Sequence, residues 1–528
     1  MKTGSDNEEE PAMIPKTSGD LTPVLIGVGE ASERINAPGY AALSPVELAA
    51  EAALAAIADA GGEGIAHEID VIAAIKQFEI STPMAKAPFG CSNNLPRSVA
   101  NRIGAAPARA ISEMTGGQGP QHLVGEMAHA IAAGEVKMAL LVGSEAISTV
   151  RHLMGQGEHR DWSESVDGQL EDRGYGLEGL LTQAVTDHGG RTPIQCYALF
   201  ENARRAKGGK DRDAYRLEMA ELFAPFTKVA AGNPHAMSQE VFDAQALATV
   251  TASNRLTSDP FPRRMVARDQ ANQGAAVLLT SAGLARELGV PEEKFVYLYG
   301  GADVKERTII ERQDLAASPA AVLAAKQALE TAGASLADIG HFDLYSCFPI
   351  AVFNITDALG LSPTDPRGLT VTGGLPFFGG AGNNYSMHAI ASMVRALRAD
   401  PGSLGFVGAN GGFLSKYSTG VYGTEPRPFK PFSSKALQAQ VDAWPIPPMR
   451  AEGAGDGTVV TYTIDYSGPE PRGMVVGVDA AGDRFVAMTD KDGAALVQRM
   501  IEEEPLGAKV TFTADDKGRR VLTGFEPA

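Results

Sequence analysis

Between Thr22 and Ala31 the chain reads TPVLIGVGEA, an apolar run ending in glycines that predicts a buried strand. SPVELAAEAALAAIADAG, from Ser44 to Gly61, predicts a helix with Ser44 as N-cap, Pro45 in the first turn and a glycine at its end. IDVIAAI (Ile69–Ile75) then predicts a second buried strand. The same order returns later. SPAAVLAAKQALETAG (Ser318–Gly333) repeats the helix and FDLYSCF (Phe342–Phe348) the strand. TGG at Thr115–Gly117 recurs at Thr372–Gly374, and MALLVGSEA (Met138–Ala146) has a partner in LGFVGANGG (Leu404–Gly412). Four matches in one order predict two duplicated α/β halves. Strands alternating with such helices imply mainly parallel sheets covered on both faces.

The repeat divides the chain. Residues 21–150 are expected to form the first half, 251–300 to complete it, and 301–424 to form the second. Residues 151–250 break the pattern and read as a lid insertion over the surface, with a helical piece at Thr192–Ala206. Proline-rich TEPRPFKPF and WPIPPM mark 425–457 as a linker. In 458–528 the runs TVVTYTIDY, GMVVGVD, DRFVAMT, AKVTFTADD and RRVLTGFE alternate with period two, predicting a small antiparallel, OB-like β-barrel. Residues 1–20 are polar and acidic and read as a disordered tail rather than a signal peptide.

A length of 528 residues allows two or three domains, each with its own core. A formal charge of −18 disfavours nucleic acid and anionic membranes while leaving room for a local basic pocket. Cys91, Cys196 and Cys347 are too few and scattered for a disulfide framework or a zinc site, so no metal is expected. No stretch is long and apolar enough to span a bilayer, and a reducing, cytoplasmic location is expected. IGVGEASE holds two glycines of a dinucleotide fingerprint, but Ser32 stands at the third place, so a strand-ending turn is favoured.

From about Thr22 to Gly423 the order of pieces resembles the thiolase superfamily. LADIGHFDLYSCFPIAVFNITDALGL (Leu336–Leu361) is most similar to sterol-carrier-protein-type thiolases, and the appended barrel resembles the thiolase-like type 1 branch. The resemblance implies a five-layered α-β-α-β-α core. It also implies a coenzyme A thioester as substrate or ligand, with no covalently bound cofactor, and kinship with acetyl-CoA acetyltransferases of lipid or sterol metabolism. Thiolases usually dimerise through the core, a contact the barrel could block, so the oligomeric state stays open.

The reactive positions depart from the family. In thiolases the first TGG-like turn bears the nucleophilic cysteine, since a thiolate attacks and leaves readily. MTGGQGPQHLVGEMAHAI puts Gly116 there, with Thr115 beside it. The GHP triplet that supplies the histidine base becomes Gly380 and Ala381 in GGLPFFGGAGNNYSMHAI, and His388, eight residues on, reads as a packing or surface residue. Ala409, followed by Asn410 and Gly411, replaces the second cysteine. The HDCF or NEAF box reads YSCF, giving Tyr345, Cys347 and Phe348. With all four positions changed, ordinary thiolysis or Claisen condensation is not expected. Thr115, Phe348, Asn410 and Gly411 are the implied substrate contacts.

Two readings of Tyr345 stand side by side. A phenol can donate a hydrogen bond or exchange a proton, or it can fill space beside Gly116 and Gly380. Cys347 offers an alternative nucleophile, although an unassisted thiol titrates near about 8.5 and a structural role is favoured. Arg204, Arg205, Lys207 and Lys228, with Arg263, Arg264 and Arg268, are candidates for coenzyme A phosphates, set against the ordinary role of solvated surface charge. The expectation is a thiolase-like protein that binds coenzyme A thioesters. One alternative is a non-covalent retro-aldol lyase on acyl-CoA using Tyr345, with the barrel as a partner in cis. Another is a non-catalytic acyl-CoA carrier or scaffold whose barrel docks a protein.

Overall fold

The computed structural model describes residues 21–528, so the expectation for 1–20 lies outside them. The first half supplies β1 (Pro23–Ser32), β2 (Val71–Ile75), β3 (Arg109–Glu113), β4 (Met138–Ala146) and the two-residue β5 (Glu171–Asp172). A short hairpin of β6 (Leu256–Ser258) and β7 (Phe261–Pro262) precedes β8 (Asn272–Ser281). The second half adds β9 (Val296–Lys305), β10 (Ile339–Leu344), β11 (Leu404–Gly411) and β12 (Lys416–Gly423).

All but the hairpin join one sheet in the order β10-β11-β12-β9-β1-β8-β4-β2-β3-β5. The duplication is plain in it. β2-β4-β8-β1 and β10-β11-β12-β9 run in the same order, with the first pair parallel and the rest antiparallel. The halves meet where β1 pairs with β9 at Val24–Tyr297 and Leu25–Val296. The sheet is therefore mixed, which corrects the expectation of mainly parallel pairing. β11 and β12 are joined directly through residues 412–415, and a hairpin can only run antiparallel. Apolar period carries no sign of strand direction.

Helix α1 (Pro45–Ala60) begins at a capping box in which Ser44 Oγ accepts the Glu47 N–H and the Glu47 carboxylate accepts that of Ser44; it ends at left-handed Gly61. It packs on β1, which continues through Gly27 and Gly29 to Ser32 without a turn there. A Cβ on either glycine would collide with the carbonyl oxygen of Ala56 or Ala52. The two glycines thus permit close helix–strand approach, correcting the expected turn.

The central α2 (Gly119–Ala132) follows the first TGG turn. The insertion carries α3 (Pro193–Lys207), capped by Thr192 and Gln195, and α4 (Arg212–Gly232). In the second half α5 (Pro319–Ala332) copies α1 down to its left-handed Gly333, α6 (Pro349–Leu359) follows β10, and α7 (Tyr385–Ala399) returns to the centre. α2 and α7 touch each other and strands of both halves, while α1 and α5 cover the outer faces. These are the five layers of a thiolase core.

After Gly423 come β13 (Gly455–Asp465), β14 (Arg472–Val478), β15 (Arg484–Met488), β16 (Lys509–Ala514) and β17 (Arg520–Glu526). They pair in the order β14-β15-β17-β16-β13, and β13 returns to β14, closing a five-stranded barrel. Tyr462, Phe485, Val510, Phe512 and Phe525 fill its separate core. Ala494–Glu502 is helical, an element absent from the sequence reading, and rests on β14 and β17. The core hairpin joins the barrel's sheet where Ser258 pairs with Asp465. Two histidines also stitch the carboxy-terminal segment to the core. His188 Nε2 accepts the Arg520 N–H (2.7 Å), and His129 Nε2 accepts that of Phe432 (3.0 Å).

Candidate functional site

The turn that opens α2 is the centre of the site. Gly116 has φ 145°, a value open to glycine. A Cβ on Gly117 would overlap the Tyr345 hydroxyl and lie 2.6 Å from the Asn410 carbonyl. The Gln118 amide lies against both Gly116 and Gly411, in the space a side chain at 116 would need.

Tyr345 stands just past the end of β10, its N–H bonded to the Gly408 carbonyl (3.0 Å). The expected strand through Phe348 therefore stops at Leu344, and YSCF forms the turn into α6. Tyr345 is 8% exposed, its ring edge-on to Tyr385 with centroids 5.4 Å apart. Among the described residues its hydroxyl has no hydrogen-bond partner. Burial, with a smaller contribution from Cys347, pushes the phenol well above its ordinary range, so at neutral pH it is a proton-bearing donor.

Asn410 Nδ2 donates to the Tyr197 hydroxyl (2.8 Å) and lies 3.8 Å from Cys347 Sγ. Tyr197, from α3 of the insertion, accepts the Leu414 N–H (3.1 Å) and stacks on Phe348 with centroids 4.4 Å apart. Burial pushes the Cys347 thiol up to about 12 despite the pull of Tyr197 and Asn410. A thiol held protonated has no use as a nucleophile. Gly380 donates its N–H to the Arg268 carbonyl, and Ala267 donates to that of Cys347, both at 2.8 Å, so one short segment braces both positions. Ala409 is fully buried on β11. Thr115 turns its hydroxyl to the Ser81 carbonyl (3.0 Å).

His388 is buried in α7, its Nδ1 2.6 Å from Glu30 Oε1, and Arg395 holds the other oxygen. Burial alone would raise the Glu30 carboxyl, but His388 and Arg395 hold it down at about 2. His388 is thus a buried residue held by its hydrogen bond to Glu30, on the packing side of the sequence reading.

The basic candidates separate. All five donors of Arg205 are taken: Nε by Asn202, and the two Nη by Glu504, Tyr462 and the Lys210 carbonyl. With a side chain 1% exposed it joins the insertion to the barrel segment and has no face for a phosphate, which corrects that expectation. Arg204 is likewise engaged with Asp357, Glu218 and Tyr215, and Lys207 with Asp314. Lys228 is exposed. Arg264 lies over Phe242, while Arg263 and Arg268 are exposed and have no carboxylate within salt-bridge distance among the described residues.

Tyr197, Glu145 and Gln273 escaped the sequence reading because each reaches the site from an element distant in the chain, while Gln118 and Asn384 stand beside Gly116 and Gly380 and gave no signal of their own. Burial pushes the Glu145 carboxyl up to about 8. Gln118 Oε1, Glu145 Oε2, Gln273 Oε1, Asn384 Oδ1 and Asn410 Oδ1 are all buried without a partner among the described residues.

Residues 436–517 match the model of the thiolase-like protein type 1 additional C-terminal domain. No curated protein sequence matches the chain. The crystal structure of a monomeric SCP2-thiolase-like protein type 1 from Mycobacterium smegmatis is similar at 45% identity and TM-score 0.82, over 96% of this chain and 99% of that one. An Ltp2–ChsH2(DUF35) aldolase matches at 20% identity and TM-score 0.56, over 77% of this chain and 98% of that one. An acetyl-CoA acetyltransferase from Syntrophomonas wolfei matches at 16% and 0.53, over 77% and 99%. The last two show the shared fold alone. With a five-layered core, a closed carboxy-terminal barrel and 45% identity along almost the whole of both chains, this protein belongs to the SCP2-thiolase-like protein type 1 family.

Proposed function

We propose that the protein binds an acyl thioester of coenzyme A at the turn before α2, without forming a covalent acyl-enzyme. The observation that carries this reading is the hydroxyl of Tyr345, a protonated donor without a partner among the described residues, on a buried ring beside the start of a central helix. A thioester carbonyl accepts one such donor, and the positive end of α2 favours the partial charge on its oxygen. Gly116, Gly380 and Ala409 supply no nucleophile, base or second thiol, and Cys347 keeps its proton. Exposed Arg263 and Arg268, the latter bonded through its carbonyl to Gly380, are the cations best placed for phosphate. A role in lipid metabolism and a cytoplasmic location belong to the same reading and rest on the family resemblance.

Calorimetry with acetyl-CoA, a longer acyl-CoA and free coenzyme A tests it. Thioester binding in the micromolar range, weakened about tenfold by Tyr345→Phe, is expected. No binding to any thioester would overturn the reading and leave a scaffold.

A second reading uses the same phenol. In a retro-aldol cleavage the hydroxyl proton goes to a base and the carbon–carbon pair becomes an enolate, which an acid then protonates. Tyr345 suits the acid alone, because burial holds its proton. Release of an aldehyde or ketone from a 3-hydroxyacyl-CoA, without a thiol acceptor and lost in Tyr345→Phe, would establish it. The fused barrel would then act as the partner in cis.

A further inference from the structure

Three unpartnered acceptors surround the loop Gly379–Asn384, and the chemistry of each is fixed. Glu145 Oε1 accepts the Phe78 N–H (2.7 Å), while Oε2 accepts nothing. Gln273 donates its amide nitrogen to the carbonyls of His235 (2.9 Å) and Phe378 (3.0 Å), so the atom left over is an oxygen. Asn384 donates to the Gly143 carbonyl (2.7 Å), which likewise leaves its oxygen bare. A flipped amide would bring its oxygen against these carbonyl oxygens and lose each of the bonds.

The three converge. Glu145 and Gln273 are cross-strand partners on β4 and β8, and Gly143, which Asn384 abuts, is two residues before Glu145 on the same face. Gln273 Oε1 lies against Gly379, and Glu145 Oε1 against Gly382, on either side of the Gly380–Ala381 pair that replaces the family's histidine and proline. Gln118 Oε1 and Asn410 Oδ1 are also bare at the neighbouring turn, to which Ser386 ties this loop by donating to the Gly117 carbonyl (2.6 Å). Bare buried acceptors cost stability, and chains keep them grouped where something donates to them. A thioester carbonyl cannot, being an acceptor itself. Glu145, which burial keeps protonated at neutral pH, can satisfy one neighbour with its own O–H and leaves the others bare.

We infer that the acyl group held at this site bears a hydroxyl, placing the ligand among 3-hydroxyacyl rather than unsubstituted acyl thioesters, with whichever of the Gln273 and Asn384 oxygens the Glu145 O–H leaves bare as its acceptor. This rests on the coenzyme A thioester reading above. The full-length protein is titrated calorimetrically with butyryl-CoA and with each enantiomer of 3-hydroxybutyryl-CoA. One hydroxy enantiomer is expected to bind about tenfold tighter than butyryl-CoA. Gln273→Met, checked for folding by its melting curve, should shrink that ratio, and Glu145→Gln gives a second route should Gln273→Met unfold. Equal affinity for hydroxylated and plain thioesters would overturn the inference, with water filling the acceptors, and leave thioester binding intact. Binding of neither removes the reading on which it rests.

Discussion

Tyr345 and Tyr385 pack edge to face, yet their hydroxyls live in opposite worlds. The second TGG turn, in the carboxy-terminal half, is saturated. Asp343 accepts from the hydroxyls of Thr370 (2.9 Å), Thr372 (3.2 Å) and Tyr385 (3.1 Å) and from the N–H groups of Val371 (3.0 Å) and Thr372 (3.3 Å). Tyr385 also meets the Thr372 hydroxyl at 2.6 Å. The first TGG turn carries the same letters and leaves Tyr345, Gln118 and Asn410 with unpaired atoms. One copy of a duplicated turn holds the fold together, and the other keeps its polar groups free. Satisfaction of buried polar atoms, more than residue identity, tells the two apart.

Removing the acceptor of the saturated turn should have the largest effect. Asp343→Ala strands three hydroxyls and two amides, and a loss of about 4 kcal/mol is expected in urea unfolding. Gly117→Ala attacks the open turn by pushing on Tyr345 and Asn410. Overpacking there should cost about 2 kcal/mol and abolish thioester binding, read by melting and calorimetry together. The two tyrosines give the sharpest contrast. Tyr385→Phe should cost about 1–2 kcal/mol, and Tyr345→Phe about 0.5 kcal/mol or less, while only the latter weakens ligand binding directly. Equal losses in the pair would erase the distinction drawn here.

The smallest expected effect is on pH dependence. Burial raises the Asp343 carboxyl from its usual 3.8 to about 6, against the pull of its hydrogen bonds. A raised carboxyl contributes stability that is full below the unfolded value and is lost as pH rises through the folded one. The wild-type protein should therefore lose stability through this group between about pH 4 and 6. Asp343→Asn should flatten that part of the profile, and an unchanged slope would exclude Asp343 as its source.

Much of the fold was legible because its signals are local. Ser44 and Gly61 announced α1, their counterparts announced α5, and the alternation of TVVTYTIDY announced β13. Strand direction was not legible, since a residue's burial is the same either way along a strand. Gly27 and Gly29 looked like a turn because sequence cannot show the helix lying against them. At the site, resemblance located Gly116, Tyr345, Gly380 and Ala409, but the surroundings that give them meaning were hidden. Tyr197 reaches Asn410 across 213 residues, and Arg205, outwardly one more surface cation, meets its carboxylate 299 residues away.

That last separation has a consequence for synthesis. At ~5–20 residues per second, Arg205 leaves the ribosome roughly 15–60 s before Glu504 exists to receive it. Throughout that interval α3 presents a guanidinium without its carboxylate, and Ser258 on the core hairpin waits for the strand that carries Asp465. Nascent chains halted before residue 455 should thus be the forms most in need of a chaperone, their inserted helices opened readily by protease, with completion of the barrel as the event that ends the exposure.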